Sequence, residues 1–142
     1  MINGEIFEDH RGKIASLNNF DYSPVKRSYF ITHPDTSVVR GWNAHKLECK
    51  WFYCIRGAFR IALIEIDDWE KPSRNLQPEF WVLDDSKSRM ICVPGGFASC
   101  IKADVADSVL MVLSDKTMAE ASAMNDSYKF EQDYFFKWSD LS

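Results

Sequence analysis

The sequence has 142 residues, of which 46% are hydrophobic and 14% aromatic, enough to bury the core of one domain. Its formal charge of −4 with scattered basic residues, and the absence of any apolar run near the roughly 20 residues of a membrane span, exclude nucleic acid and membrane as expected partners. No signal-peptide pattern opens the chain, so we expect one cytoplasmic domain over residues 1–142.

Short apolar segments, several with period-two alternation, recur along the chain and predict β-strands. They cover Lys13–Leu17, Arg27–Thr32, Trp51–Ile55, Ala58–Ile66, Glu79–Leu83, Met90–Val93, Ala98–Ile101 and Ser108–Leu113. Turn-forming residues separate them, for example Arg56 with Gly57 and Pro94 with Gly95. Many short strands with regular turns predict an all-β sandwich or barrel.

The last quarter of the chain contains one helical pattern and one aromatic cluster. Residues Lys116–Met124 are rich in helix formers and follow Ser114 and Asp115, which we expect to cap at most two turns of helix. The cluster consists of Tyr134, Phe135, Phe136 and Trp138. It is too apolar for a free tail, so it is expected to pack on the barrel or on a second subunit.

Four cysteines lie at spacings that do not match zinc modules. Cys49 and Cys54 are separated by four residues, and Cys92 and Cys100 by seven. A cytoplasmic chain with this many large apolar residues does not need disulfides to fold. We interpret all four as buried or half-buried thiols.

The segment from Val39 to Lys50 has the densest concentration of polar and charged side chains. On a regular strand one face would carry Arg40, Trp42, Ala44 and Lys46, and the other Gly41, Asn43 and His45. One of these faces is predicted to line the mouth of the barrel, where antiparallel barrels hold their ligands. The alternative is a solvated edge strand whose charges have no function.

Metal and nucleophile chemistry are not expected. Transition metals need several converging imidazole and carboxylate ligands, and this segment supplies only His45 and Glu48. Ser99 stands where a second motif would supply a ligand, while His10 and His33 lie in predicted turns. The chain also lacks a nucleophile elbow and a glycine-rich phosphate loop.

Four local motifs, in order over about residues 5 to 115, resemble one superfamily. Phe7–Gly12 is similar to F-x-D-x-R-G, Val39–Trp42 to an R-G-L/F signature, Lys50 with Gly57 to K-L-V-x-x-x-x-G, and Val93–Ala98 to I-P-x-G-F-A. These motifs resemble the dTDP-4-dehydrorhamnose 3,5-epimerases, which are cupin-type jelly rolls. Residues 43–46, Asn-Ala-His-Lys, are similar to the H-A-H-K of the related nucleotide-sugar 3,4-ketoisomerases.

The resemblance implies a homodimeric enzyme without a cofactor that binds a nucleotide-linked 4-keto sugar and moves protons beside the ketone. By the same resemblance, Arg11 and Arg40 bind the diphosphate or position the sugar, and Lys50 stabilises the enolate. The implied setting is the synthesis of surface polysaccharide.

The chain departs from the family at three catalytic positions. Asn43 replaces the base histidine, Ser99 replaces a later histidine, and no tyrosine occupies the strand near Met111. Asn43 is then a candidate for binding substrate, and His45 is the remaining candidate base. The alternatives are an altered regiochemistry, epimerisation at one centre, a catalytically silent cupin that binds a nucleotide sugar, or a site wholly repurposed.

Overall fold

The computed structural model describes residues 1–140, which form mainly short β-strands. They are β1 (Ile2–Asn3), β2 (Glu5–Asp9), β3 (Gly12–Ser16), β4 (Arg27–Thr32), β5 (Val39–His45), β6 (Lys50–Arg56), β7 (Ala58–Glu65), β8 (Glu79–Asp84), β9 (Arg89–Val93), β10 (Phe97–Ala103), β11 (Val109–Ser114) and β12 (Tyr128–Lys129). The helix α1 (Met118–Met124) lies between β11 and β12, and a 3-10 turn (Trp138–Asp140) ends the described part. The prediction of an all-β domain with one short helix near the C-terminus is confirmed.

Two five-stranded antiparallel sheets form the framework. The first has the strand order β1-β9-β6-β11-β4 and the second β12-β5-β10-β7-β8, while β2 and β3 form a separate hairpin. From β4 to β7 successive strands alternate between the two sheets, as do β8 to β11. This alternation is the connectivity of a jelly roll, in which the inner faces of both sheets form the core.

The core between the sheets is fully apolar at its centre. Phe59 and Ile61 of β7 and Leu110 and Val112 of β11 are almost completely buried in one cluster that also contains Phe52 of β6. Each such side chain stabilises the fold by about 1.5–3 kcal/mol relative to exposure. This core occupies one part of the space between the sheets, and the cavity described below occupies another.

The C-terminal segment covers the outer face of the second sheet. Trp42 and Cys100 are buried there beneath Phe135 and Trp138. The rings of Trp42 and Phe135 meet edge to face at 5.1 Å, and Trp138 Nε1 donates a hydrogen bond to Cys100 Sγ at 3.2 Å. The aromatic cluster therefore packs on the barrel of its own chain, one of the two outcomes expected from the sequence.

Helix α1 begins at Met118, two residues after its predicted start at Lys116. Thr117 is the N-cap, and its side chain and that of Glu120 form a reciprocal capping box. Ser114 and Asp115 are engaged elsewhere, Ser114 with Glu48 and Asp115 with the backbone of Cys49. Within residues 1–140 no helix has the length and apolar character of a membrane span.

All four cysteines are free thiols, as the sequence predicts. Cys54 and Cys100 are buried, whereas Cys49 and Cys92 are partly exposed. Burial raises the pKa of the Cys54 thiol to about 12 and that of Cys100 to about 11.

Candidate functional site

A cavity of about 450 Å³ lies between the inner faces of the two sheets. Its walls are Tyr29, Phe30, Ile31 and Thr32 of β4, Arg40, Asn43 and His45 of β5, Glu48 of the β5–β6 turn, Lys50 and Phe52 of β6, Val93 and Pro94 at the end of β9, Phe97, Ser99 and Ile101 of β10, and Ser127. Four of the five candidate residues, namely Arg40, Asn43, His45 and Lys50, thus line one cavity. The volume is that of an ordinary small-molecule site.

A β-bulge in β5 places Arg40 in this cavity. Opposite β10, Asn43 pairs with Ser99 but Gly41 pairs with Cys100, so Trp42 is an extra residue. Gly41 has φ +143°, and a Cβ there would lie 2.7 Å from Cys100 Cα, so only glycine fits. The sequence prediction that Arg40 shares a face with Trp42 is therefore wrong, because regular alternation ends at the bulge.

One ring nitrogen of His45 is hydrogen-bonded, and the other has no hydrogen-bond partner among residues 1–140. Its Nδ1 lies 2.9 Å from the backbone carbonyl oxygen of Asp126, which can only accept a hydrogen bond. Nδ1 therefore carries the proton, and Nε2 of the neutral ring holds a lone pair. Burial, assisted by the charge of Lys50, lowers the pKa of His45 below 6.5 despite the nearby Glu48. His45 is consequently an unprotonated imidazole at neutral pH.

The Asp126 side chain holds the turn between β5 and β6. Its carboxylate accepts hydrogen bonds from the backbone N–H groups of Lys46, Leu47 and Glu48 at 2.8, 2.8 and 3.1 Å. Burial alone would raise the pKa of Asp126, but these donors outweigh burial and the pKa is lowered. One residue thus fixes both the turn and the histidine ring that precedes it.

Glu48 is a buried carboxylate with basic neighbours on several sides. It is only 3% exposed and accepts hydrogen bonds from Arg27 at 3.0 Å and from Ser114 at 2.7 Å. Lys50 Nζ lies 3.9 Å from one carboxylate oxygen, and His45 Nδ1 lies 3.8 Å from the other. Because a buried carboxylate is stable only with such partners, Glu48 fixes the relative positions of the two candidate catalytic residues.

Tyr29 is a cavity residue that the sequence interpretation missed. Lys50 Nζ donates a hydrogen bond to its hydroxyl oxygen at 3.1 Å. The tyrosine expected near Met111 on β11 is absent, but Tyr29 lies on the adjacent strand β4, opposite Val112. The alternation of Arg27, Tyr29 and Ile31 along β4 was the available signal, since these three side chains are the more buried ones of that strand.

Arg11 does not reach the cavity of its own chain. It lies at the turn of the β2–β3 hairpin, where its side chain is 74% exposed and forms a 2.6 Å ion pair with Asp9. It borders a separate surface depression together with Phe7 and Ile14.

The remaining histidines do not join His45. Neither His10 nor His33 lines the cavity, and the buried His33 ring has no hydrogen-bond partner among residues 1–140. Burial, followed by the charge of Arg40, lowers the pKa of His33. Over the described part of the chain, no three His, Cys, Asp or Glu side chains cluster as a metal site.

Comparison with protein families gives a match over residues 1–134 to the family described as FdtA: WxcM-like, C-terminal. The chain belongs to this family. The match spans nearly the whole domain and supports the superfamily resemblance drawn from the sequence motifs. A comparison with curated proteins gives no match.

Solved structures of sugar-nucleotide epimerases and isomerases share the fold. A variant of the QdtA 3,4-ketoisomerase from Thermoanaerobacterium thermosaccharolyticum, in complex with TDP-4-keto-6-deoxyglucose, is 22% identical with a TM-score of 0.68, covering 94% of this chain and 88% of that one. The ChmJ 3'-monoepimerase from Streptomyces bikiniensis, in complex with dTDP-quinovose, is 17% identical with a TM-score of 0.76, covering 98% and 74%.

A third solved structure also shares the fold. The dTDP-4-dehydrorhamnose 3,5-epimerase from Bacillus anthracis str. Ames, with TDP and PPi bound, is 15% identical with a TM-score of 0.73, covering 92% and 77%. At these identities the likeness establishes the fold, and the predicted cupin-type jelly roll is confirmed.

Proposed function

We propose that this protein is a nucleotide-sugar epimerase or ketoisomerase that acts on a dTDP-4-keto-6-deoxyhexose by moving a proton α to the ketone. The observation that carries the proposal is a neutral imidazole, His45, and an ammonium group, Lys50, held within 4 Å of the same Glu48 carboxylate in one cavity. Removal of a proton beside a carbonyl needs such a base together with a cation for the enolate oxygen.

Each step of this reaction has a group to perform it. His45 Nε2 takes the proton from the carbon beside the ketone, and the C–H electron pair forms the enolate double bond. The negative charge that develops on the ketone oxygen is stabilised by Lys50. Tyr29, which accepts a hydrogen bond from Lys50, is placed to supply the proton that ends the reaction. This chemistry requires no cofactor and no metal.

In this proposal, residues on β5 bind the nucleotide-sugar substrate. Arg40 offers a forked guanidinium to the diphosphate, and Asn43, at the same wall, offers an amide to a sugar hydroxyl or the ketone. The proposed setting is the cytoplasmic synthesis of surface polysaccharide, in keeping with the resemblance of the sequence motifs.

We also infer a homodimer in which Arg11 serves the cavity of the second subunit. Phe7 and Ile14, paired across the β2–β3 hairpin, are 60% and 65% exposed, and Phe30 at the cavity is 60% exposed. In the part of the chain that the structure describes, β4 lies at the edge of its sheet and pairs with a strand on one side only. A second copy whose hairpin packs on this edge would cover the apolar side chains and bring Arg11 to the cavity.

A catalytically silent cupin that binds a nucleotide sugar is the second candidate. It is favoured by Asn43 and Ser99, which face each other across β5 and β10 where the related enzymes carry histidines. An amide and a hydroxyl can bind a sugar but cannot act as bases at neutral pH.

Deuterium exchange separates the two candidates. The protein is incubated in heavy water with TDP-4-keto-6-deoxyglucose, and the sugar protons are followed by NMR. Loss of the signal at C3 or C5 is the expected result, and the position that exchanges distinguishes the possible reactions. Saturation-transfer signals from bound ligand without any exchange would contradict the enzyme and support the silent cupin.

A further inference from the structure

The outer face of the first sheet carries two thiols that lie side by side. Cys49, just before β6, and Cys92 on β9 have their sulfur atoms 3.6 Å apart. In the β6–β9 ladder, Trp51 pairs with Cys92 and Lys50 with Val93, so the two cysteines are diagonal neighbours on one face. Both are partly exposed, so a small oxidant can reach them.

The two sulfur atoms are in contact, so a short approach separates them from a disulfide. A disulfide has a sulfur–sulfur bond of about 2.05 Å, so the sulfurs must approach each other by roughly 1.5 Å. The ladder between β6 and β9 holds the two strands side by side, so the two cysteines belong to neighbouring strands of one sheet. The two thiols are therefore a contacting pair and not two isolated cysteines.

The two thiols also differ in pKa, and this difference indicates which of them an oxidant attacks first. The hydrogen bond from the Cys49 thiol is the main cause that lowers the pKa of Cys92 to about 7, whereas the pKa of Cys49 is raised. Cys92 is therefore the more acidic thiol of the pair, and the thiolate is the form that oxidants attack. Cys49, in contact with it, is the partner that resolves the oxidised sulfur.

The other two cysteines lack both features. Cys54 is buried and its thiol donates to the backbone carbonyls of Arg56 and Gly57, each at 3.3 Å. Cys100 is buried beneath Trp138 and accepts the indole hydrogen bond. Neither sulfur is placed against another thiol, so they serve as internal controls.

We propose that Cys49 and Cys92 are a reversible redox site, in which oxidation by a peroxide forms a disulfide between these two residues of one chain. The Cys92 thiolate attacks one oxygen of hydrogen peroxide, the O–O bond breaks, and Cys92 becomes a sulfenic acid. The hydroxide that leaves takes up a proton from solvent, equivalent to the one that Cys92 released, and becomes water. The Cys49 thiol then attacks this sulfur, the S–S bond forms, and a second water leaves. The two thiols together lose two electrons to the peroxide, and a dithiol reductant returns them.

Thiol counting and peptide mapping test the proposal on the full chain. Peroxide is expected to lower the number of free thiols in the unfolded protein from four to two, with a mass loss of about 2 Da on a monomeric chain. Digestion without reductant should give one linked peptide pair containing Cys49 and Cys92, and dithiothreitol should restore four thiols.

Two serine variants identify the order of events. In Cys49→Ser the disulfide is absent, and dimedone should label a sulfenic acid at Cys92. In Cys92→Ser no dimedone label is expected at Cys49, because the more acidic thiol is gone. Four remaining thiols after peroxide, a linkage that includes Cys54 or Cys100, or a linkage only between chains would each overturn the proposal.

Discussion

At the scale of single residues, the state of His45 follows from its neighbours. The Asp126 carbonyl fixes the tautomer, and burial with the charge of Lys50 lowers the pKa of the ring. Both effects leave Nε2 unprotonated at neutral pH, so the ring can accept a proton there without first losing one, as the proposed base requires.

Replacement of His45 is expected to stop turnover and spare binding. His45→Ala should lower the exchange rate of the sugar proton by at least ~100-fold, the usual contribution of a general base. The affinity for TDP, measured by calorimetry, should change little, whereas the control Arg40→Ala should weaken it. Equal exchange in His45→Ala and the parent protein would remove His45 from the mechanism.

The lowered pKa of His45 also sets the sign of the pH dependence. The base is active when deprotonated, so kcat/KM should fall as pH decreases through a value below 6.5 and should be flat near neutrality. The folded protein disfavours the protonated ring, so His45 also makes stability fall below pH 6.5. A kcat/KM that rises on acidification would contradict a neutral base.

A variant of Tyr29 tests the proposed delivery of a proton separately from the proposed stabilisation of the enolate. Tyr29→Phe removes only the hydroxyl that accepts the Lys50 hydrogen bond, so kcat should fall by roughly 10²-fold with KM nearly unchanged. Lys50→Met, which removes the cation, should lower kcat more. A Tyr29→Phe variant with full kcat and raised KM would make this hydroxyl a binding group.

At the scale of elements, the cavity depends on how β5 is registered against β10. The strands themselves follow from alternation and turns, and most of them lie where the sequence predicts. The bulge at Trp42 could not be predicted, because the extra residue is defined only against Ser99 and Cys100, far along the chain. The partners of Glu48 could not be predicted either, because they come from β4 and β11, which are distant from Glu48 in the sequence.

The bulge leads to a prediction about stability, for which a second glycine of the same chain serves as the control. Gly41→Ala should destabilise the fold by about 1–2 kcal/mol for its positive φ and by about 1–3 kcal/mol more for the clash with Cys100. Gly12 also has a positive φ, +121°, but no atom of residues 1–140 lies within 4 Å of a Cβ there, so Gly12→Ala should incur only the first cost. Urea denaturation measures both, and equal losses would contradict the close approach of β5 and β10.

At the scale of the whole molecule, the motif-derived site is divided between two places. Arg40, Asn43, His45 and Lys50 share the cavity, whereas Arg11 lies on the exposed hairpin. The four residues converge because β5 and β6 follow each other and face the same space between the sheets. The sequence motif that contains Arg11 does not specify where the fold places its side chain, and the proposed homodimer would assign it to the cavity of the second subunit.

Mixed dimers test whether Arg11 acts in the cavity of the second subunit of the proposed homodimer. Arg11→Ala and Arg40→Ala should each lower TDP affinity as homodimers, since each cavity lacks one guanidinium. If Arg11 acts across the interface, a dimer with one subunit of each kind has one cavity with both arginines and one with neither. Unfolding and refolding the two variants together should therefore restore binding near the parent affinity in about half of the cavities of the mixed dimers. If Arg11 acts within its own subunit, every cavity of the mixed dimer still lacks one arginine, and calorimetry should detect no restored sites.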